Sequence, residues 1–413
     1  MDFFNCISLR TAQGLVADAL SVSPTGVEEV DLIQALGRVV AEDISAGSDL
    51  PPFSRSTVDG YAVLSRDTFG AGEGVPVMLA VVGEVLMGQS AEYSVVPGQA
   101  VVIPTGGMLP AGADAVVMLE YTECSDNETL LVLKPVAPGE NVVVKGEDIK
   151  AGTVFITAGS KLTAAEIGAL AACGIAKVKV FGRLTVGVIS TGDEVVAVDV
   201  VPVGGQVRDI NSYTLGAMLA ETDCQVRYYG IIKDNYEKLR QAIIKAVTET
   251  KLVLVSGGSS VGARDHTVRV IEELGQQRVM FHGLAVKPGK PTIFGMIGQV
   301  PVFGLPGHPV AAMTVCQSLV IPAVKKMHGL RTGKAGIQVL AKLTRNIASA
   351  PGRDDFLRVR LVWREGEYLA EPVLGKSGLI SVMTQADGIV RISAESSGLY
   401  AGDVVNVEVM REA

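Results

Sequence analysis

Three carboxylates and two lysines, each placed just past a strand-like run, are the residues of this chain best suited to chemistry. Glu194 closes Ser190-Thr191-Gly192-Asp193-Glu194, Asp234 follows Lys233, and Asp265 ends the stretch Ser256-Gly257-Gly258-Ser259-Ser260-Val261-Gly262-Ala263-Arg264-Asp265. Glycines at 257 and 258 let backbone N–H groups of a loop approach an anion, and the start of the following helix adds partial positive charge. A carboxylate beside such a cradle repels phosphate unless a cation stands between them, and oxygen-only donors are what Mg²⁺ prefers. Glu194, Asp234 and Asp265 are therefore the candidate metal ligands. The plainer alternative is a βα turn with Asp265 as the N-cap of the next helix.

Lys287-Pro288-Gly289-Lys290-Pro291 holds two ammonium groups in a stiff turn, an arrangement that suits an oxyanion because little rotamer freedom remains to be lost. Its plainer alternative is a surface loop with solvated lysines. Leu305-Pro306-Gly307-His308-Pro309 precedes a helix and can turn backbone donors toward the same cleft. His308 is expected to pack or cap rather than to act as a base. Thr191, Gly192, Ser256, Gly257, Gly258, Ser259 and Gly307 are expected to meet substrate.

These residues need a frame that gathers strand ends. Residues 184–190, 225–232, 252–256, 281–286, 292–295 and 301–305 read as strands, and 211–221, 236–248, 267–274 and 310–327 as helices. Such alternation predicts a doubly wound, mostly parallel sheet over 183–329, with ligands at the carboxyl ends of its strands. Upstream, 8–46 carries helical spacing in two stretches, and 162–173 resumes it. Residues 1–48 with 145–182 therefore read as a helical N-terminal domain, interrupted over 49–144 by a small inserted β domain. Residues 330–413 read as a small C-terminal β barrel or sandwich. The expectation is a multidomain α/β protein.

A length of 413 residues suits several cores. Hydrophobic residues make up 48% and charged ones 19%, a globular balance. The net charge of −8 argues against nucleic acid, and no long uncharged apolar run or basic leader suggests a membrane or export. Five scattered cysteines with no C-x-x-C pair argue against disulfides and thiolate zinc, and fit a reducing cytoplasm. Four histidines with no i, i+4 pair leave any metal to oxygen ligands.

In order along the chain, Pro52-Phe53-Ser54-Arg55-Ser56-Thr57-Val58-Asp59-Gly60-Tyr61-Ala62, Pro104-Thr105-Gly106, Gly146-Glu147-Asp148-Ile149, Thr191-Gly192-Asp193-Glu194, the Ser256–Gly262 stretch, the lysine turn and the Pro306–Pro309 loop resemble the molybdenum insertases, or molybdopterin molybdenumtransferases, a family that includes the gephyrin E domain. The resemblance implies that adenylylated molybdopterin and molybdate are substrates, that AMP leaves with Mg²⁺ assistance, and that molybdenum passes to the dithiolene. Tungstate is open as the alternative oxyanion. It also implies an elongated homodimer and admits contact with a molybdopterin adenylyltransferase. By position, Asp59, Thr105 and Asp148 would enter from the inserted domain. Glu194, Asp234, Asp265, Lys287, Lys290, Pro306 and Pro309 would line the α/β cleft, with Arg353, Arg358 and Ser377 reaching in from the tail. Asp59, Asp148, Glu194, Asp234 and Asp265 would be catalytic. Val143, Gly283, His308 and Ala311 depart from the family pattern, so fewer anion donors are expected. An adenylyltransferase-like enzyme would need only the middle domain, and a non-catalytic scaffold with an insertase fold would not need the carboxylates.

Overall fold

The computed structural model describes residues 6–22, 25–125, 128–257, 261–275, 279–331 and 336–410, with the side chains of 261–265 excepted. Its centre is a six-stranded sheet in the order 225–232, 185–191, 252–257, 300–305, 293–297, 279–282. The first four strands are parallel, and the last two are added antiparallel. Strands buried on both faces need apolar side chains throughout, and Leu252, Val253, Leu254 and Val255 are at most 3% exposed. Helices α1 (Leu9–Ala19) and α3 (Asn211–Ala220), with the long helix over 309–327, cover one face. Helices α4 (Tyr236–Glu249) and α5 (Val261–Leu274) cover the other.

The apolar segment 309–327, the one described helix long and apolar enough to cross a membrane, is two-thirds buried inside the protein. It forms α6 (Pro309–Val315), a π turn at Cys316–Val320 and α7 (Ile321–Met327). Pro322 lacks an N–H and crowds the carbonyl four residues back, which accounts for the wider turn just before it.

Two expectations for the N-terminal segment are corrected. Helix α1, capped by Ser8 through the Thr11 N–H at 3.1 Å, buries Leu9, Ala12 and Val16 in the core of the central sheet rather than beside residues 145–182. The second expected helix is a strand, Val27–Asp31, paired antiparallel with Lys177–Phe181, followed by a single 3₁₀ turn. A helix would have needed Ile33 and Leu36 on its core face, yet they are 91% and 65% exposed. Val30 and Leu32, two residues apart, pack instead against Val178, Val180 and Leu170. The helix expected from 162 onward is α2 (Ala164–Ala172), opened by a capping box of Thr163 and Glu166.

The insertion is a mixed six-stranded sheet in the order 115–118, 60–63, 99–103, 77–84, 129–132, 122–124. Alternate residues of its strands feed two apolar clusters, with Tyr61 and Val63 in one and Ala62 in the other. In the tail, strands 354–364, 367–372, 338–343, 404–409 and 388–392 follow one another, and the last pairs back with the first. That closure settles the tail as a barrel. Val286–Lys287 pairs with Asp354–Asp355, which ties the lysine turn to the barrel.

Candidate active site

Strand register decides which loops meet. Thr191 lies opposite both Ile232 and Gly257, and Ser256 lies opposite Leu305, so four strands end in one row. At the first two ends carboxylates gather. Gly192 has φ +142°, and a Cβ there would sit 2.7 Å from Glu194 Oε2, so a glycine is required where the Glu194 carboxylate folds back over the strand end. The Asp234 N–H donates to Asp193 Oδ1 at 3.1 Å. Lys233 is occupied in closing the turn, donating through Nζ to the carbonyls of Asp193 at 2.7 Å and Val195 at 3.1 Å.

Asp234 Oδ1 is buried with no hydrogen-bond partner among the described residues. Burial, and then the Asp193 and Glu194 carboxylates, push the Asp234 pKa above its ordinary value, against a smaller opposing pull from His266 and Lys233. Asp193 thus belongs to the cluster although only Glu194 was singled out from its motif. A Thr-Gly-Asp-Glu run past a strand signals both residues equally. Gly258, Ser259 and the Asp265 side chain lie outside the described residues. The backbone of Asp265 does not: it is the fifth residue of α5, so it is not the helix N-cap. Among the described residues no three His, Cys, Asp or Glu side chains converge on one point as a metal centre. The orphaned Oδ1 and the all-oxygen donor set nevertheless fit a hard cation in chemistry.

At the other end of the row a cavity of about 300 Å³ is lined by Lys287, Lys290, Pro306, Gly307, Arg353 and Ser377, together with His308 and Ala311. Six residues singled out from sequence, drawn from four separate stretches of the chain, meet there. Lys287 Nζ is paired with Asp355 Oδ2 at 2.7 Å, so part of its charge is answered by the protein itself. Arg353 Nε is buried without a partner among the described residues. Ser377 Oγ lies 2.9 Å from His308 Nδ1, so His308 links the tail segment to the start of α6; its side chain is exposed and makes no cap hydrogen bond, so it is neither packed nor capping as expected.

Two expected members are elsewhere. Pro309 is the first residue of α6, buried and outside the cavity lining. Arg358, 5% exposed, donates to the Val310 carbonyl and to Thr314 Oγ1 under α6, and burial lowers its pKa to about 10. It lines a larger cleft of about 1430 Å³ that contains none of the strand-end carboxylates or turn lysines.

In the insertion, Asp59 Oδ1 accepts from the Thr105 N–H at 2.7 Å and from its hydroxyl at 3.0 Å. Those two donors, the backbone one first, hold Asp59 below its ordinary pKa. Gly60 follows, and a Cβ on it would lie 1.9 Å from the Val117 carbonyl, so close strand pairing fixes where Asp59 stands. Asp148 is exposed on a loop tied by its N–H to the Leu50 carbonyl. Asp59, Thr105 and Asp148 line neither cavity. Val143 pairs with Arg55 in the neck of the insertion, away from the cation-lined cavity, whereas Ala311 and His308 are at its wall.

Carboxylates and a cation-lined cavity along one row of strand ends define the candidate site of this α/β protein. Residues 7–174 match the model of the "MoeA N-terminal region (domain I and II)", 187–326 that of the "Probable molybdopterin binding domain", and 340–410 that of the "MoeA C-terminal region (domain IV)". The chain is 35% identical to a molybdopterin molybdenumtransferase of Haemophilus influenzae, covering 93% of this chain and 94% of that one. It is 32% identical to one of Bacillus subtilis, covering 93% and 90%. A crystal structure of a molybdopterin biosynthesis MoeA protein from Pyrococcus horikoshii superposes with a TM-score of 0.82 at 30% identity, covering 98% of this chain and all of that one. This chain belongs to the molybdopterin molybdenumtransferase family. It is a transferase of molybdenum cofactor biosynthesis.

Proposed function

We propose that the row of strand ends binds adenylylated molybdopterin with its phosphates near Ser256 and Gly257, and molybdate in the cation-lined cavity, so that AMP release accompanies transfer of molybdenum to the dithiolene. The observation that carries this reading is the register that sets Thr191 beside Gly257 and Ser256 beside Leu305, leaving carboxylates at one end and cations at the other. Lys290 and Arg353 supply positive charge to a tetrahedral oxyanion, and Lys287 is held in place by Asp355. Glu194 and Asp234, with Asp265, are the residues that would hold Mg²⁺, which when bound would neutralise phosphate charge. Tungstate has the same shape and charge as molybdate and would be accepted by the same donors.

Asp59, Thr105 and Asp148 do not reach either cavity of their own chain, which supports a homodimer in which the insertion of one subunit faces the sheet of the other. A cytoplasmic location, where all five cysteines stay free, and transfer of substrate from a molybdopterin adenylyltransferase complete the reading. The test is AMP release from adenylylated molybdopterin, with and without molybdate, for the wild type and Asp234→Asn. Molybdate-dependent release that the variant loses supports the reading, and adenylylation in its place, or no release at all, overturns it. Activity regained on mixing Asp59→Ala with Asp234→Asn chains would identify a shared site.

A further inference from the structure

A buried polar row runs beneath the same strand ends, and of its members only Ser256 enters the reading above. Asn211, the first residue of α3 and 7% exposed, donates through Nδ2 to Ser256 Oγ at 2.7 Å and to the Gly307 carbonyl at 2.9 Å, with the Pro306 carbonyl at 3.4 Å. Carbonyl oxygens only accept, so the amide must turn its nitrogen toward the loops, and its two hydrogens are used by the two short contacts. Asn211 Oδ1 is buried without a partner among the described residues, and the start of α3 is braced from the neighbouring strand through the residues on either side of Asn211. Asp209 Oδ1 accepts from the Ser190 hydroxyl at 2.9 Å and from the Ser212 N–H at 3.1 Å. The row therefore joins the ends of strands 185–191, 252–257 and 300–305. Ser256 does not line the cation-lined cavity, whereas Pro306 and Gly307 do. Asn211 is thus a direct link between the end of strand 252–257 and one wall of that cavity.

We infer that Asn211 is a positioning residue that fixes the Pro306–Gly307 wall of the oxyanion cavity relative to Ser256 and Gly257. It sets the distance between the phosphate end and the oxyanion end of the bound substrates. The inference rests on the proposed division of the site into those two ends. Its physical basis is that removing the amide leaves the Gly307 carbonyl and the Ser256 hydroxyl short of a donor in a poorly solvated place. The loop then shifts to find partners, and displacements of about 1 Å in a binding constellation cost on the order of a hundredfold. An aspartate in this position does more than remove a donor, because its carboxylate oxygens face carbonyl oxygens of like partial charge.

The experiment measures molybdate binding directly by calorimetry, without pterin substrate, and the molybdate half-saturation of AMP release. It compares the wild type, Asn211→Asp, Asn211→Ala, Ser256→Ala and the Asn211→Ala/Ser256→Ala pair. Molybdate binding should weaken about tenfold or more in Asn211→Asp. It should also weaken in Ser256→Ala although Ser256 is outside the cavity, and the pair should be no worse than Asn211→Ala alone. A purely structural role would lower the melting temperature and leave the molybdate affinity of the folded protein unchanged, which would overturn the inference. If the Asn211 variants do not fold, Ser256→Ala decides: an unchanged molybdate affinity refutes the link and a weakened one sustains it. Wild-type protein that binds molybdate but releases no AMP would refute the proposed reaction, while the calorimetric comparison would still judge Asn211.

Discussion

Replacing Lys287 by methionine should separate its two roles, because the structure gives this lysine a partner of its own. The Lys287 side chain is 49% exposed and that of Asp355 is 10% exposed, with 2.7 Å between Nζ and Oδ2. Exposed ion pairs contribute about 0 to 1 kcal/mol, and breaking a fully buried one costs about 3 to 5. A nearly buried carboxylate with a half-exposed ammonium falls between, and solvent screening of the lysine brings the expected cost to about 1 to 2 kcal/mol. Ser349 Oγ, 3.3 Å from the same Oδ2, keeps one donor in place and limits the loss. Trp363, the single tryptophan of the chain, stands in barrel strand 354–364, so its fluorescence during urea unfolding reads the barrel. Lys287→Met should lower that midpoint, and Lys287→Met/Asp355→Asn should recover most of the loss, because no unpaired charge then remains. Lys290→Met should raise the molybdate half-saturation by about 10- to 150-fold, as loss of one charged hydrogen bond of about 1.5 to 3 kcal/mol predicts. An unmoved Trp363 transition in Lys287→Met would refute the anchoring role and return that lysine wholly to the oxyanion.

Asp234→Asn should stabilise the protein in metal-free buffer containing a chelator. The raised pKa means that the fold favours the protonated carboxyl, so Asp234 costs stability once pH rises through its folded value, and the advantage of asparagine should fade on acidification. A melting-temperature difference that does not vary with pH would contradict this. Thr105→Val removes the hydroxyl donor and keeps the backbone one, so the Asp59 carboxyl should titrate closer to its ordinary value by NMR, and an unmoved midpoint would show that the hydroxyl is idle. Gly192→Ala must displace the Glu194 carboxylate, since the new methyl would lie 2.7 Å from Oε2 at φ +142°. AMP release should fall by about tenfold or more with circular dichroism unchanged, and full activity would remove Glu194 from the site.

The central sheet was legible because parallel strands covered on both faces must be apolar along their length and must break into polar turns where they end. That condition writes the strand and its functional end into the same few residues, as in Leu252–Gly257. The segment around Val30–Val40 was misread for the converse reason: apolar residues two and three apart, Val30 with Leu32 and Ile33 with Leu36, satisfy strand and helix spacing alike, and only the partner strand 177–181 decides between them. Arg358 and Lys287 were beyond reach of spacing arguments, since their partners Thr314 and Asp355 are 44 and 68 residues away. Most consequential is strand order, which no local pattern encodes. Because 185–191 lies between 225–232 and 252–257, the Gly192 turn lies beside both the Asp234 turn and the strand end at Ser256–Gly257. Because 300–305 lies beyond 252–257, the Pro306 loop meets Ser256 and is separated from the Asp234 turn by two intervening strands. The site is therefore graded, with carboxylates at one end, cations at the other and glycine-rich backbone between them. The substrate proposed above, with phosphate near Ser256 and Gly257 and an oxyanion in the cation-lined cavity, would be matched by that gradient in one orientation.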